Sequence, residues 1–401
     1  MNRVLLSSAA RALGLVVLTA GVLSGCSNHG TAMETISGHL TGLASGTSIV
    51  LQDNGADNLT LTNNGGFSFS TYVYVGDYYD VTILTQPLHQ VCSVTGGSGI
   101  APENYIDTIT AVMVSCAANP EYAYVANKGS NTVSQYAIGS GGALTPMATA
   151  AVAAGGSPAS VTVDPTGKYA YVANSGDSTV SQYTIGAGGA LTPMATASVA
   201  AGTTPFSVTV DPTGQYAYVA NEGDGTVSQY TIGAGGALTP MATPTVAAGN
   251  VPYFVTVDPS GKYAYVANYG SGDVSQYTIG AGGALIPMTP STVAAGSYPT
   301  SVTVDPSGKY AYVATGSVDV SQYTIGSGGA LTPMATPTVA AGNAPYSVTV
   351  DPSGKYAYVA NQGDNSVSQY TIGNGGALTP MTTSSVAAGT TPFSVVVARP
   401  Q

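Results

Sequence analysis

The chain has no tryptophan, three histidines and three cysteines, and only 7% of its 401 residues are charged. So few charges exclude a solvated helical bundle and a disordered chain, both of which depend on them. Lysine and arginine number 8 against 19 acidic residues, a formal charge of −11. No basic surface can be assembled to neutralise phosphates, which excludes nucleic acid as a partner and disfavours anionic lipid headgroups. What is abundant is glycine (52), proline (24) and tyrosine (27). That is the composition of short strands joined by tight turns, and the class expected is all-β.

Arg3 and Arg11 precede an apolar run, ALGLVVLTAGVL at 12–23. It is too short to span a bilayer and has the form of a secretory h-region, so residues 1–25 are expected to be a signal peptide. The run ends in Leu23-Ser24-Gly25-Cys26, which resembles the lipobox of bacterial lipoproteins. That resemblance implies cleavage before Cys26 and lipidation of its thiol; an ordinary signal peptide with a cysteine nearby is the alternative. Several acyl chains on one cysteine give an anchoring that one chain cannot. Residues 26–35 then read as a tether, with membrane contact through the anchor only. Ser27, in place of the aspartate that holds such proteins at the inner membrane, implies the outer membrane. Export would deliver Cys92 and Cys116 to an oxidising compartment, where a disulfide is expected and buried free thiols are the alternative.

From 36 to 117 the sequence consists of short alternating runs, ISGHLTGL, SIVLQ, NLTLT, GFSFS, YDVTILT, VCSVT and DTITAVMVS, separated by Gly, Asn and Asp clusters. The pattern predicts a small β-sandwich of about seven strands. A Cys92–Cys116 bridge would close a loop of about 25 residues, worth about 3 kcal/mol in the chain-entropy model.

From 118 to 401 the chain is a repeat array. The phrase YAYVA starts at 122, 169, 216, 263, 310 and 356, a spacing of 47 four times and 46 once. Each unit carries four β segments: A, SVTVD; B, KYAYVAN; C, TVSQYTI; and D, the TxVAAG run that follows GGALTPM. Four strands in that length make a propeller blade, whereas a solenoid would show a helix or a shorter period. The array opens on a strand B and closes on SVVVARP at 394–400, a strand A with no B after it. The strand missing from the first blade stands at the other end of the chain. This predicts a monomeric six-bladed propeller of four-stranded blades, closed by the C-terminal strand.

The pattern YAYVAN-x-G-x-x-x-V-S-Q-Y after VDPSGK resembles the YVTN-type repeats of the lactonase-like β-propeller superfamily, from about residue 119 to the end. The resemblance implies the propeller fold and, as activities, lactone hydrolysis or muconate-type cycloisomerisation. Its lactonase branch generally has seven blades, against six counted here. It also implies His, Glu and Arg as catalytic groups, suited to acid–base work and oxyanion stabilisation. The three histidines, His29, His39 and His89, all precede the array, its only arginine is Arg399, and its only glutamates are Glu121 and Glu222. The catalytic set therefore carries over at no position, and no catalytic residue is assigned. The array has no His or Cys cluster with metal-ligand spacing, no Walker-type loop and no Gly-x-Ser-x-Gly elbow. Gly-Asp pairs such as SGDST offer one carboxylate where a hard cation takes several oxygens. No metal or cofactor is expected.

Comparing the six copies shows where they differ. The A–B turn, DP[ST]G[KQ], and the C–D turn, GxGGALxPM, scarcely change. The loops after strand B read NKGSN, NSGDS, NEGDG, NYGSG, TGSV and NQGDN; those after strand D read GGSPA, GTTPF, GNVPY, GSYPT, GNAPY and GTTPF. In a four-stranded meander, B–C and D–A loops emerge on one face, so the variation is expected there, as on a binding surface. The residue after the D–A proline runs Ala159, Phe206, Tyr253, Thr300, Tyr346 and Phe393. With Tyr269, Asp177, Glu222, Asp224 and Asp364 from the B–C loops, these aromatics are the candidate ligand site, able to stack on sugar rings or grip a peptide. Capping of the core is the alternative role. The function expected is a non-enzymatic binding module on the bacterial envelope, its ligand an envelope protein or glycan. A lactone-processing enzyme and a structural spacer are the other readings.

Overall fold

The computed structural model describes residues 33–87, 90–102, 109–118, 121–139 and 143–397. The signal segment, Cys26, most of the tether, His29, His89 and Arg399 lie outside them. Among the described residues every regular element is a strand. The chain divides into two compact units, one of residues 1–87 and 92–117 and the other of 88–91 and 118–401.

The N-terminal unit holds β1 (Met33–Thr41), β2 (Ile49–Asp53), β3 (Asp57–Leu61), β4 (Gly65–Tyr74), β5 (Tyr78–Thr85), β6 (Gln90–Thr95), β7 (Ser98–Ile100) and β8 (Ile109–Ala118). They form two four-stranded sheets, β4-β1-β8-β6 and β3-β2-β5-β7. β1 runs antiparallel to β4 and parallel to β8. The alternation in the sequence becomes alternation in burial: Ile49, Leu51 and Asp53 of β2 face inward while Val50 and Gln52 do not. Both sheets contribute to one core that includes Ile36, Leu40, Phe67, Phe69, Val81 and Val112. Cys92 on β6 and Cys116 on the neighbouring β8 are buried in it and joined by a disulfide.

The second unit is propeller-like, with repeated sheets. Blade 1 has strands B, C and D (Glu121–Asn127, Thr132–Ile138, Leu144–Ala153); blades 2 to 6 are four-stranded and span 158–200, 205–247, 252–294, 299–340 and 345–387. Within each, A pairs with B, B with C and C with D, all antiparallel. Strand D starts earlier than its sequence suggests. The leucine, proline and methionine expected in a turn begin a ten-residue strand, Leu285–Ala294 in blade 4. Its Pro287 lies opposite Tyr277 on the outermost strand, where a missing N–H leaves no ladder partner unsatisfied.

Adjacent blades are stitched by the same three side chains at each interface. The strand B tyrosine donates to the C–D turn carbonyl of the next blade, as Tyr171 does to Gly236 and Tyr218 to Gly283, each at 2.6 Å. The strand C glutamine accepts from the first leucine of the next strand D, as Gln182 does from Leu238 N at 2.6 Å. The strand C tyrosine donates back to the preceding blade, as Tyr230 does to the Ala200 carbonyl at 2.7 Å. Buried polar groups are thus paired across every one of these seams, as a water-excluding interface requires.

Residues 392–397 carry no strand pairing, and strand B of blade 1 pairs only with strand C among the described residues. The C-terminal segment instead lies against blade 6: Val395 N donates to Ser347 Oγ at 3.4 Å. Val208, Val255 and Val348 make the same contact with Ser160, Ser207 and Ser301 of the blade before them.

Candidate functional site

In blades 2 to 6 the D–A and B–C loops are hydrogen-bonded to one another, which puts the variable sequence on one face. In blade 3, Glu222 N donates to the Thr204 carbonyl and Gly223 N to the Thr203 carbonyl, both at 2.9 Å. The residue before each D–A proline takes a positive φ: Ser157, Thr204, Val251, Tyr298, Ala344 and Thr391, from 47° to 56°. Such backbone in bulky or β-branched residues is strained and concentrates at sites of function.

At the start of strands A, six aromatic rings meet. Phe206 stacks on Tyr253 (centroids 4.1 Å apart, 26° between planes) and Tyr253 on Tyr269 (5.2 Å, 28°). Tyr269 in turn leans on Tyr298 (5.0 Å, 35°). On the other side Tyr253 meets Tyr346 edge-on at 6.1 Å, and Tyr346 meets Phe393 at 4.7 Å. Blades 4 and 6 are not neighbours in sequence order, so the contact of Tyr253 with Tyr346 means that the inner strands converge on a common axis. Thr300, at the corresponding place in blade 5, is buried instead, its hydroxyl 3.1 Å from the Ala314 and Pro345 carbonyls. Ala159 in blade 2 is too small to reach the cluster.

Burial pushes the Tyr253 phenol above its usual range; a hydrogen bond with Tyr346 opposes this, and the Glu222 carboxylate adds to it. Burial, the hydrogen bond it donates to Tyr253 and Glu222 all push Tyr346 up. Both stay neutral across the physiological range, as hydrogen-bonding groups and not as phenolate bases.

The loop aspartates have another job. Asp224 accepts from Thr203 N at 2.8 Å and from the Thr226 hydroxyl at 2.6 Å. Asp177 accepts from Gly156 N and Asp364 from Asn343 N. In blade 4 Ser271 does the same for Asn250 N at 3.2 Å. The three aspartates, expected to face a ligand, and Ser271 each fasten a D–A loop to the B–C loop of the same blade. Glu222 remains half-buried beside the aromatic cluster. Among the described residues no group of three or more His, Cys, Asp or Glu is placed to hold a metal.

A cavity of about 330 Å³ opens beside the cluster, lined by Tyr269, Gly270, Ser271, Gly272, Gly296, Ser297 and Tyr298. Tyr298 and Ser297 were not singled out by the sequence. The signal was the one 46-residue spacing among spacings of 47, where blade 5 has lost a loop residue.

A family model described as "Lactonase, 7-bladed beta-propeller" matches residues 98–204 and 179–394. No curated protein matches the chain. Among solved structures, a proposed 6-phosphogluconolactonase of Bacteroides fragilis is similar at a TM-score of 0.60 and 19% identity, covering 86% of this chain and 97% of that one. A second proposed 6-phosphogluconolactonase, from Bacteroides uniformis, gives 0.59 and 17%, covering 86% and 98%. A functionally unknown protein from Desulfotomaculum acetoxidans gives 0.55 and 14%, covering 65% and 78%. At these identities the likeness is one of fold.

Proposed function

The chain belongs to the lactonase family of β-propellers, and from that premise we propose that it is a non-enzymatic binding module whose ligand is a neutral glycan, held on the face of the B–C and D–A loops. The observation that carries this reading is the cluster of six aromatic rings, since aromatic faces stack on the apolar faces of sugar rings. The surrounding charge favours an uncharged ligand. The B–C loops bring Asp177, Glu222, Asp224, Asp273, Asp319 and Asp364 to this face against the single Lys128, and the D–A loops bring no charge. A phosphorylated sugar would be repelled, with no arginine or lysine cluster to receive it. Lipidated at Cys26, the protein would present this face at the bacterial envelope.

Lactone hydrolysis is the second reading, and the family match favours it. Screening the full chain against a glycan array and against 6-phosphogluconolactone separates the two. Binding of neutral glycans without turnover is expected, with affinity lost on replacing Phe206, Tyr253, Tyr346 and Phe393 by Ala. Turnover of the lactone would overturn the binding reading.

We further infer that six sheets close into one ring with residues 394–397 as the inner strand of blade 1. Two features support this. Thr391 has the positive φ of the other D–A loops, its N–H accepted by Asn365 Oδ1 at 2.6 Å as that of Ser157 is by Asn131 Oδ1. Val395 lies on blade 6 as an inner strand lies on the blade before it. Leu144 of blade 1 is 54% exposed where its equivalents, such as Leu191, are 6% exposed, so closure requires Gln369 to move onto it. By the register of Val161 with Val172, Val395 would face Val125. A Val125→Cys/Val395→Cys variant should form a disulfide within one chain; dimers, or no bridge, would count against closure.

A further inference from the structure

Among blades 2 to 6, blade 5 alone has an incomplete loop tie. In blades 2, 3, 4 and 6 the residue two before the D–A proline is held on both sides: its carbonyl accepts from the B–C loop, and its N–H donates to a side chain there. Gly156, Thr203, Asn250 and Asn343 each have the first bond, at 2.9–3.0 Å, and the second, to Asp177, Asp224, Ser271 and Asp364. Blade 5 reads Thr315-Gly316-Ser317-Val318 where blade 4 reads Asn268-Tyr269-Gly270-Ser271-Gly272. The shorter loop keeps the bond from Gly316 N to the Tyr298 carbonyl, at 2.7 Å. Val318 precedes strand C as Gly272 does, its carbonyl accepting from Ala341 N as that of Gly272 accepts from Ala295 N; the place of Asp or Ser falls to Ser317, whose hydroxyl lies 2.8 Å from that of Thr315 instead. At Ser297, therefore, neither bond is formed. The Tyr298 N–H also lacks the partner that Asn131 and Asn365 give Ser157 and Thr391, because Gly272 precedes it in the neighbouring blade.

The freed loop lines the cavity described above. Its aromatic wall is Tyr298, 53% exposed with φ at 56°, backed by Tyr269, whose two faces are covered by Tyr253 and Tyr298. Its polar groups are the main chain and hydroxyl of Ser297 and the Gly296 amide; the amides of Gly270 and Gly272 and the Ser271 hydroxyl are bonded within blade 4. No charged side chain is among the lining residues. One exposed aromatic face with an uncharged rim of donors and acceptors complements a flat, neutral, hydroxyl-bearing ring. The volume lies at the low end of ligand pockets, about 300–1,000 Å³, which suits one ring at a chain end better than the middle of a polymer.

We infer that this cavity is a subsite for a single neutral hexopyranose, the terminal sugar of the bound glycan, created by the lost residue in blade 5. The inference rests on the glycan reading above and adds the position and size of the recognised unit. Main-chain groups released from the repeat's own tie take the sugar hydroxyls, and the exposed face of Tyr298 takes its apolar face.

The test uses the full chain and two variants on an array of neutral hexopyranosides and their short oligomers, followed by calorimetric titration with the best binder. Tyr298→Ala removes the aromatic wall. The second variant replaces Gly316–Val318 with the blade 3 loop sequence of 222–225, which restores an aspartate to tie Ser297. Each should weaken binding roughly tenfold or more, the scale of one lost stacking contact with its hydrogen bonds. Tyr298→Ala, an exposed truncation, decides the matter if the graft does not fold. Wild-type binding that both variants retain within about twofold overturns this subsite and leaves the glycan reading standing. A wild-type chain that binds no neutral sugar overturns both.

Discussion

The propeller has two faces that are equally open to solvent and unequally free to change. On one, the A–B and C–D turns repeat almost letter for letter; on the other, the B–C and D–A loops differ from blade to blade. The constant face is constant because its residues are engaged twice. Asp258, 3% exposed, accepts from Ser260 N at 3.0 Å, from Lys262 N and Tyr263 N at 2.8 Å, and from the Ser260 hydroxyl. Gly283, at φ 79°, lies under the ring of Tyr216 from the preceding blade; a Cβ there would come within 2.2 Å of it. Its carbonyl also receives the Tyr218 hydroxyl. A change in such a turn disturbs two blades. The loops of the other face are tied chiefly within their own blade, by a side chain that is Asp in three blades, Ser in one and absent from blade 5, and reach the neighbouring blade only through single bonds such as that of Ser157 N to Asn131 Oδ1. The sameness that first suggests a functional motif is thus the mark of the seam, and the function belongs where the seam is not.

The broadest way to break this contrast is alkali, which attacks the seams in every blade together. Burial pushes Tyr230, Tyr277 and Tyr323 from 10.0 up to about 12, and Tyr171, Tyr218, Tyr265 and Tyr312 higher still. For a phenol a raised value means that the folded chain keeps protons the unfolded chain has shed. Stability is therefore whole below about pH 10 and falls as pH rises towards 12 and beyond. Thermal melts followed with tyrosinate absorbance should show the melting temperature collapsing over that window, with tyrosinate appearing as the blades unfold. Full tyrosinate absorbance in a chain that still melts at its neutral-pH temperature would mean that the phenols do not hold the seams.

How much of this was legible beforehand follows from what each signal encodes. A period near 47 residues and strict alternation are properties of the sequence itself, so the blades, their four strands and the division into two faces could be read directly. The N-terminal sheets came out with eight strands where about seven were expected, because Ser98–Ile100 is too short to alternate visibly. The start of strand D was missed since proline reads as a turn until its place on an outer edge is known. Asp177, Asp224 and Asp364 read as ligand groups because a carboxylate in a variable loop looks free; their partners are main-chain amides some 21 residues away. Tyr298 was passed over because its neighbour Tyr269 belongs to another blade, and contact across blades is not written in either stretch. The convergence of Phe206, Tyr253, Tyr346 and Phe393, by contrast, followed from their equivalent positions in the repeat.

A smaller and sharper comparison sets one aspartate from each face against the other. Asp258→Ala removes a buried acceptor of four hydrogen bonds and leaves the amides of Ser260, Lys262 and Tyr263 to find other partners. Bonds to a charged acceptor are worth about 1.5–3 kcal/mol, and a loss of about 3 kcal/mol is expected once the turn relaxes. Asp224→Ala removes an exposed carboxylate with two short bonds inside a loop that blade 5 shows can do without it. Screened by solvent, it should cost under about 1 kcal/mol. Chemical denaturation of both variants measures the difference. If Asp224→Ala proved as costly as Asp258→Ala, the loops of the variable face would be frame as well, and the variation among the six copies would no longer mark where a ligand binds.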